Sequence, residues 1–312
     1  MQQREARGAC DVSLIVVHRN GVELLRACLQ SLAPACEGVT WEAIVVDNGS
    51  TDGSQEMVRR EFPKVRLIAN GENRGFTGAN NQGLAVAAGR YLVLLNNDTV
   101  SSPGCFAEAV RAMDARSDIG ASGLKLLNPD GSRQLSCRRF PSFQQALFNR
   151  YSLLTRLFPN NPYSAGYLMT DLDEDEIRDV DWVSGACLII RRDVYEQIGG
   201  LDERFFMYSE DVDYCLRVWE AGWRVAYLPV STVMHFIGQT SSAFPFMPIF
   251  ERHRSMYLYY KKHYSRELLF LDLATIAMVS TRCVLQLGAV WLKRLGRKSP
   301  DAAQAAAKGG RP

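Results

Sequence analysis

Four short apolar segments in the first hundred residues are the feature that most constrains the fold. They occupy residues 12–17 (VSLIVV), 41–47 (WEAIVVD), 65–70 (VRLIAN) and 90–99 (RYLVLLNNDT). Segments of this length and apolarity are typical of strands buried on both faces. Stretches with helical spacing or small residues lie between them, such as the leucines around position 29, before Pro34. The alternation predicts an α/β fold with a mostly parallel sheet flanked by helices.

Each predicted strand ends in polar residues. His18 and Asn20 follow the first, Asp47 and Asn48 follow the second, and an Asn-Asn-Asp triplet at 96–98 follows the fourth. In open α/β sheets, ligands bind beyond the carboxyl ends of the strands. Several polar strand ends at one edge of the sheet therefore predict a ligand site there.

The segment 199–217 (GGLDERFFMYSEDVDYCLR) places five carboxylates around the aromatic run Phe205, Phe206 and Tyr208. Carboxylates beside large apolar groups lose hydration, which raises their pKa and makes one of them usable as a general base near neutral pH. The structural alternative is a helix N-terminus that is rich in acids because they interact favourably with the helix dipole.

Composition excludes several classes. The formal net charge is +2, and no basic stripe with interleaved aromatics occurs in the first 240 residues, so no nucleic-acid partner is expected. None of the eight cysteines forms a CxxC pair, which predicts reduced thiols in a reducing compartment. The N-terminus lacks an apolar core, so we expect no cleaved signal peptide and a catalytic body in the cytosol.

The C-terminal third differs in character. Residues 268–291 are long and apolar enough to span a bilayer, but Asp272 and Arg282 interrupt them. The polar residues of this segment recur at helical spacing and form one stripe, which predicts a helix lying at the membrane interface. A spanning helix and a plain packing or oligomer helix are the alternatives. A basic group at 293–298 would face anionic lipid headgroups.

Six motifs in order point to one family. They are VSLIVVHRN, VVDNGSTDGS, NRGFTGANNQG, LLNNDT, WVSGACLIIRRDVY and GGLDERFFMYSEDVDYCLR. Together they resemble a family 2 glycosyltransferase of the GT-A fold, and within it the rhamnosyltransferase-type branch. The resemblance covers residues 11–240, which we expect to form the catalytic domain. A helical extension that associates with the membrane is expected at 241–298, with flexible tails at 1–10 and 299–312.

The resemblance implies an inverting, metal-dependent sugar transfer. The donor would be a nucleoside-diphosphate sugar, by resemblance dTDP-L-rhamnose, and the acceptor a lipid-linked or cell-surface glycan. The enzyme would work as a peripheral protein at the cytoplasmic face of the inner membrane. A Mn²⁺ or Mg²⁺ ion on the diphosphate would stabilise the charge of the leaving group.

The family's motifs assign roles to particular residues. Asp211 is the implied catalytic base, with Glu210 beside it. The metal motif falls on residues 96–98, where only Asp98 is a carboxylate, and His235 is the implied second metal ligand. The alternatives are a loop cap for Asp98 and a hydrogen-bonded core histidine for His235.

The remaining assignments concern the two substrates. The residues implied for the nucleotide sugar are His18, Asn20, Asp47, Asn48, Arg74, Gly75, Asn80, Asn97 and Gly185. Asp47 would accept the imide N–H of uracil or thymine. Trp182 and Asp202 are implied for the sugar or acceptor, with a core aromatic and a turn cap as their respective alternatives.

Three other functions are compatible with parts of the sequence. A transferase that uses another donor, such as a UDP-hexose or UDP-galactofuranose, keeps every motif. A sugar nucleotidyltransferase would need a Gly-rich basic phosphate loop after the first strand, where this chain has HRNGVELLRA. A catalytically silent nucleotide-sugar-binding scaffold fits the single acid of the metal motif but not the intact EDVD segment.

Overall fold

The computed structural model of the protein describes residues 9–141, 169, 175–236, 246–265 and 268–297. The described residues divide into two compact units. One lies within Met1–Phe206 and Glu210–Thr240, and the other within Met207–Ser209 and Ser241–Pro312. The predicted flexible tails lie outside the described residues, except that Cys10 already begins the first strand.

The first unit is built on a parallel half-sheet. Its strands, in spatial order, are β3 (Arg66–Ala69), β2 (Trp41–Asp47), β1 (Cys10–His18) and β4 (Gly89–Asn96). Three helices connect them: α1 (Val22–Ala35), α2 (Ser54–Glu61) and α3 (Gly75–Val86). The central residues of β1, β2 and β4 are buried. The four apolar segments therefore form the expected strands, and the predicted α/β architecture is confirmed.

The other half of the sheet is mixed. After β5 (Thr99–Ser101) and α4 (Cys105–Asp114) come β6 (Ile119–Leu127), β7 (Cys137–Arg138), β8 (Arg178–Asp179), β9 (Trp182–Val183), β10 (Cys187–Arg191) and β11 (Arg224–His235). Strand β10 runs antiparallel between β4 and β6, and β11 lies parallel to β6. The parallel prediction thus holds for the first four strands, and β10 reverses the chain direction at the middle of the sheet.

A turn divides a segment that reads as one strand in the sequence. In 182–190 the chain forms β9, turns at Gly185–Ala186, and then enters β10. Strand β9 pairs with β7 in a separate two-stranded sheet, and the Ser184 N–H donates to the Ser136 carbonyl. Helices α5 (Arg192–Ile198) and α6 (Glu210–Glu220) follow. The break matters because it places a backbone N–H of the turn beside the start of α6.

The cysteines are free thiols, and seven of the eight are buried. Burial raises the pKa of Cys28 and of Cys105 to about 12. Such thiols are inert at neutral pH.

The second unit contains α7 (Phe246–His263) and α8 (Leu269–Arg297). Asp272, Thr275, Val279 and Cys283 of α8 form a buried stripe, and Asp272 accepts hydrogen bonds from Lys261 of α7 and, at 2.8 Å, from the Ser265 hydroxyl. The exposed surface of α8 is instead apolar, with Phe270 79% exposed. The first members of the polar stripe therefore face α7, where Lys261 compensates the Asp272 carboxylate.

Among the described residues, one helical segment, Leu269–Leu292, is long and apolar enough to cross a membrane.

Candidate active site

Asp47 is the last residue of β2, and only one of its two carboxylate oxygens accepts hydrogen bonds from the described residues. Its Oδ1 accepts hydrogen bonds from the Ser50 N–H at 3.0 Å and from Gln55 Nε2 at 2.8 Å. Its Oδ2 is buried and accepts no hydrogen bond from the described residues. A buried acceptor without a donor is costly, so it marks a place where a ligand donor fits.

Asn48 organises the glycine-rich loop before α3. Its amide donates to Asn73 Oδ1 and to the Gly75 carbonyl, both at 2.9 Å, and its Oδ1 accepts the Arg74 N–H at 3.0 Å. The described protein already uses both ends of this side chain. Asn48 therefore shapes the loop, while the Arg74 side chain is exposed to solvent.

Hydrogen bonds connect the turn that follows β1 to the turn that follows β2. Asn20, at φ 58°, accepts the Thr51 N–H on its side chain and donates its own N–H to Ser50. Asp52 accepts the N–H groups of Gly21 and Val22 at 2.6 and 3.0 Å. Asp52 thus caps α1 from a neighbouring loop, which satisfies donors that a helix start leaves open.

His18 is fully buried, with both ring nitrogens occupied. Its Nε2 lies 2.8 Å from the Ser54 hydroxyl, and its Nδ1 lies 2.8 Å from Asn97 Nδ2. Burial lowers the pKa of His18, so the ring is neutral at pH 7. The ring accordingly joins the end of β1 to the middle of the 96–98 triplet.

Asp98 and His235 meet at the end of β11. His235 Nε2 lies 3.3 Å from Asp98 Oδ1 and 3.3 Å from Asn96 Nδ2. Gln134 donates to the His235 carbonyl at 2.7 Å and turns its Oε1 toward His235 Nδ1 at 3.0 Å. With Gln134 Oε1 facing Nδ1 and Asn96 Nδ2 facing Nε2, a ring with one proton carries it on Nδ1, and the lone pair of Nε2 then faces the carboxylate.

This arrangement fits a divalent cation. Two acceptor atoms 3.3 Å apart repel each other unless a cation or a proton lies between them. A metal-ligating histidine almost always donates its other N–H to an oriented acceptor, as His235 does to Gln134. Among the described residues no cluster of three or more His, Cys, Asp or Glu side chains could hold a metal. Asp98 and His235 would be the protein ligands, and diphosphate oxygens would complete the shell.

Asp211 lies in the first turn of α6 and is held by two backbone donors. Gly185 N–H donates to its Oδ2 at 3.0 Å, and Val212 N–H donates to its Oδ1 at 2.9 Å. Burial raises the pKa of Asp211, while these bonds and the positive charge of Arg138 act in the opposite direction. The carboxylate is fixed in orientation and remains able to accept a proton, as a general base requires.

Glu210 is the more deeply buried of the two neighbouring acids. It is 6% exposed, and its Oε2 has no hydrogen-bond partner among the described residues. Burial, and secondarily the charge of Asp211, raises the pKa of Glu210 well above its ordinary value. Both carboxyls are buried, but only Asp211 receives backbone N–H donors from other residues, which favour its charged form.

The turn between β9 and β10 bonds both to Asp211 and to the strand that leads to Asp98. Gly185 donates to Asp211, and the carbonyl of the next residue, Ala186, accepts the Asn96 N–H at 3.0 Å. Two consecutive residues therefore contact Asp211 and the strand end that leads to Asp98. Gly185, which the resemblance assigns to the nucleotide sugar, donates its N–H to Asp211.

Other predicted residues have structural partners. Asp202 bonds to the Arg204 N–H and guanidinium and so caps its turn. Asn80 donates to the Phe76 carbonyl. Trp182 is 7% exposed, and its indole N–H donates a hydrogen bond to the Arg139 carbonyl. These positions match the structural alternatives given above for Asp202 and Trp182.

Some contributors carry no signal in the sequence. Gln134, which orients His235, lies in a stretch without clear periodicity. Arg138, whose guanidinium lies 5.3 Å from the centre of the Trp182 ring, brings a positive charge to Asp211 from a distant part of the chain. Only the tertiary fold reveals either role.

The fold and site correspond to known glycosyltransferases. The model of the family "Glycosyl transferase family 2" matches residues 13–199, and that of "Glycosyl transferase family group 2" matches residues 164–291. The N-acetylglucosaminyl-diphospho-decaprenol L-rhamnosyltransferase of Mycobacterium tuberculosis is 33% identical over 252 residues, covering 77% of this chain and 81% of the relative.

Two solved structures share the fold. The Pyrobaculum calidifontis mannosyltransferase PcManGT, in complex with GDP-Man and Mn²⁺, has a TM-score of 0.53 at 18% identity, covering 96% of this chain and 79% of its own. GalNAc-T7, with UDP, GalNAc and Mn²⁺, has a TM-score of 0.52 at 14% identity, covering 73% of this chain and 44% of its own.

A parallel half-sheet with polar strand ends, continued by a mixed half-sheet, defines a protein of the GT-A fold. The chain belongs to glycosyl transferase family 2. The resemblance to its rhamnosyltransferase-type branch is likewise confirmed by the mycobacterial relative.

Proposed function

We propose that the protein transfers L-rhamnose from dTDP-L-rhamnose to a lipid-linked saccharide, with inversion at the anomeric carbon. The observation that carries the chemistry is the 184–186 turn, which fixes Asp211 and is bonded to the strand that leads to Asp98. The sugar and the acceptor class are taken from the mycobacterial relative, whose name specifies rhamnosyl transfer to a prenyl-diphosphate saccharide.

One base suffices for this reaction. Asp211 removes the proton of the acceptor hydroxyl as its oxygen bonds to the anomeric carbon of the donor. The bond between that carbon and the phosphate oxygen breaks, and the nucleoside diphosphate leaves with the electron pair. A divalent cation bound at Asp98 and His235 would neutralise charge that develops on the diphosphate.

The base-reading role belongs to Asp47. Its unpaired Oδ2 can accept the imide N–H of thymine or uracil. Cytosine has an acceptor at the same ring position, so the two acceptors would repel. We therefore expect dTDP and UDP to bind and CDP to bind much more weakly. UDP-hexoses and UDP-galactofuranose remain the alternative donors.

The deciding experiment compares donors and the base in one assay. Purified protein with Mn²⁺ is incubated with a prenyl-diphosphate N-acetylglucosamine acceptor and either dTDP-L-rhamnose, UDP-glucose or UDP-galactofuranose. We expect product with dTDP-L-rhamnose only, and a loss of about 10²- to 10⁴-fold in Asp211→Asn, because the general base is removed. The dissociation constant for dTDP should stay within about twofold in this variant.

Each outcome of this assay bears on a different assignment. Product from a UDP-sugar instead of dTDP-L-rhamnose would replace the donor assignment and leave the mechanism intact. A fully active Asp211→Asn would overturn the role of Asp211. Absence of transfer from every donor, with tight nucleotide binding retained, would favour the catalytically silent scaffold.

We further propose that the enzyme acts as a peripheral protein at the cytoplasmic face of the inner membrane. The exposed apolar surface of α8 supports attachment to lipid, because water gives such a surface no favourable partner. A lipid-linked acceptor would be presented at that membrane.

A further inference from the structure

The chain enters α6 through two consecutive left-handed residues. Tyr208 has φ 70° and Ser209 has φ 66°, and neither is a glycine. Such backbone conformations cost free energy in residues with a Cβ, and they persist only where surrounding contacts hold them. The next two residues are Glu210 and Asp211. Only Glu210 therefore separates the strained residues from the proposed base.

Helix α7 supplies contacts that hold this turn. The Ser255 hydroxyl is fully buried and donates to the Met207 carbonyl at 2.9 Å. The Arg252 guanidinium lies 5.1 Å from the centre of the Tyr208 ring, at a distance typical of a cation–π interaction. Because Arg252 and Ser255 are three residues apart, they project from the same side of α7. Residues 207–209 belong to the same compact unit as α7.

The segment just before the turn is anchored separately. The Phe206 carbonyl accepts the Phe76 N–H at 2.8 Å, and Gly75 leaves the space that Phe206 occupies. The three residues 207–209 are thus fixed on one side by this bond and along their length by Ser255 and Arg252. The backbone direction at Ser209 sets where the first turn of α6 begins.

We infer that Ser255 and Arg252 are positioning residues for Asp211, acting through the left-handed turn at Met207–Ser209. Without these contacts the turn relaxes toward ordinary backbone angles, and the first turn of α6 shifts or frays. Asp211 then loses its alignment with the acceptor hydroxyl, although its own side chain is unchanged. This inference rests on the proposed role of Asp211 as the base.

The test separates positioning from folding. Ser255→Ala, Arg252→Ala and Arg252→Lys are prepared in the full-length protein, with Arg254→Ala as the matched control, because Arg254 is an exposed arginine of the same helix that pairs with Glu251. Transfer kinetics, the dissociation constant for dTDP with Mn²⁺, and amide hydrogen exchange of the 207–214 segment are measured. Asp211→Asn is assayed in parallel.

We expect kcat to fall about 10- to 100-fold in Ser255→Ala and Arg252→Ala, because small misplacements of a catalytic group are costly. The dTDP dissociation constant should change less than twofold, and exchange in 207–214 should speed up. Arg252→Lys keeps the cation over the ring and should recover most of the activity. Arg254→Ala should behave like the unmodified protein.

Two results would overturn the inference. Either kcat in both alanine variants stays within twofold of the Arg254→Ala value, or nucleotide binding is lost together with kcat, which would mean general unfolding. If Ser255→Ala does not fold, the Arg252 pair decides alone. An active Asp211→Asn would instead contradict the assignment of the base itself, so the two failures are distinguishable.

Discussion

Glu210 and Asp211 are neighbours in sequence, yet their surroundings give them different proton affinities. Asp211 receives two backbone N–H donors that favour its charged form. Glu210 is buried with an oxygen that has no described partner, and burial raises its pKa well above its ordinary value. The difference between a hydrogen-bonded and an unpartnered carboxyl, rather than residue type, therefore separates their roles.

Replacement of Glu210 should change the folding stability by an amount that depends on pH, because the buried carboxyl is costly to ionise. The folded protein holds the Glu210 proton above the pH at which the unfolded chain releases it, so stability is lost as pH rises from the unfolded pKa through the raised one. Glu210→Gln removes that penalty, which is about 1.4 kcal/mol for each unit of the pKa rise. Its melting temperature relative to the unmodified protein should increase from pH 5 to pH 8.

The matched control for this measurement is Glu220→Gln, an exposed change at the other end of α6. Its stability difference should be nearly independent of pH. An equal pH dependence in both variants would show that Glu210 ionises normally in the folded protein.

Gln134 should matter to the metal although it would not touch it. Gln134→Ala frees the His235 ring to rotate and to change its tautomer, so the affinity for Mn²⁺ should fall about 10- to 100-fold. Titration of Mn²⁺ against transfer rate, at saturating donor, measures the shift. Ser132→Ala, an exposed change in the preceding loop, is the control. Identical titration midpoints in both variants would refute an orienting role for Gln134.

At the level of elements, short turns rather than helices or strands bring the site together. The 184–186 turn bonds to Asp211 and to Asn96, and the loop before α3 packs under Phe206. The second contact depends on a glycine, because a side chain at Gly75 would lie only 2.6 Å from Phe206. Gly75 thus provides room for a neighbouring segment of the same protein.

Gly75→Ala should therefore be destabilising and inactivating. Gly75 has φ 77°, which costs about 1–2 kcal/mol for a residue with a Cβ, and the contact with Phe206 adds to this. We expect a loss of at least about 2 kcal/mol in the free energy of unfolding by urea.

Gly78→Ala is a control within the same helix, since its nearest neighbour would be 3.6 Å away and alanine favours helices. It should be neutral or slightly stabilising. If both variants lose the same stability, the close approach of Phe206 is not the cause.

At the level of the whole molecule, α8 has the reverse of the pattern expected in water. Its inward stripe contains Asp272 and Thr275, while Leu273, Val284 and Leu285 are more than half exposed. A helix in contact with water normally buries its apolar face and exposes its polar one. The reversal supports a lipid environment around α8.

Charges on this exposed face should weaken membrane binding. The double variant Phe270→Glu/Leu285→Glu should bind vesicles containing anionic lipid at least about tenfold more weakly, because each replaced side chain contributes about 1.5–3 kcal/mol of burial. Co-sedimentation with the vesicles measures the change. Trp41→Glu, at a 37% exposed position of the other unit, is the control. Unchanged binding of the double variant would exclude α8 as the attachment surface.

The sequence by itself determined the parallel half-sheet and the family. Runs such as VSLIVV and WEAIVVD are too apolar to lie anywhere but in a sheet covered on both faces, and their polar ends follow at once. The order of the six motifs identified the family, because the motifs can be recognised in the sequence without knowledge of the structure. The motif order also identified the 96–98 triplet and the EDVD segment as candidate site residues without any structure.

Only the tertiary structure decided which candidate side chains already have protein partners. Asn48, His18 and Asp202 look like ligand-binding residues in the sequence, yet each is bonded to other parts of the chain. Contacts between Gln134 and His235, or between Ser255 and Met207, join residues 101 and 48 positions apart. No local pattern encodes them, because hydrogen-bond partners across such separations depend on how the elements pack.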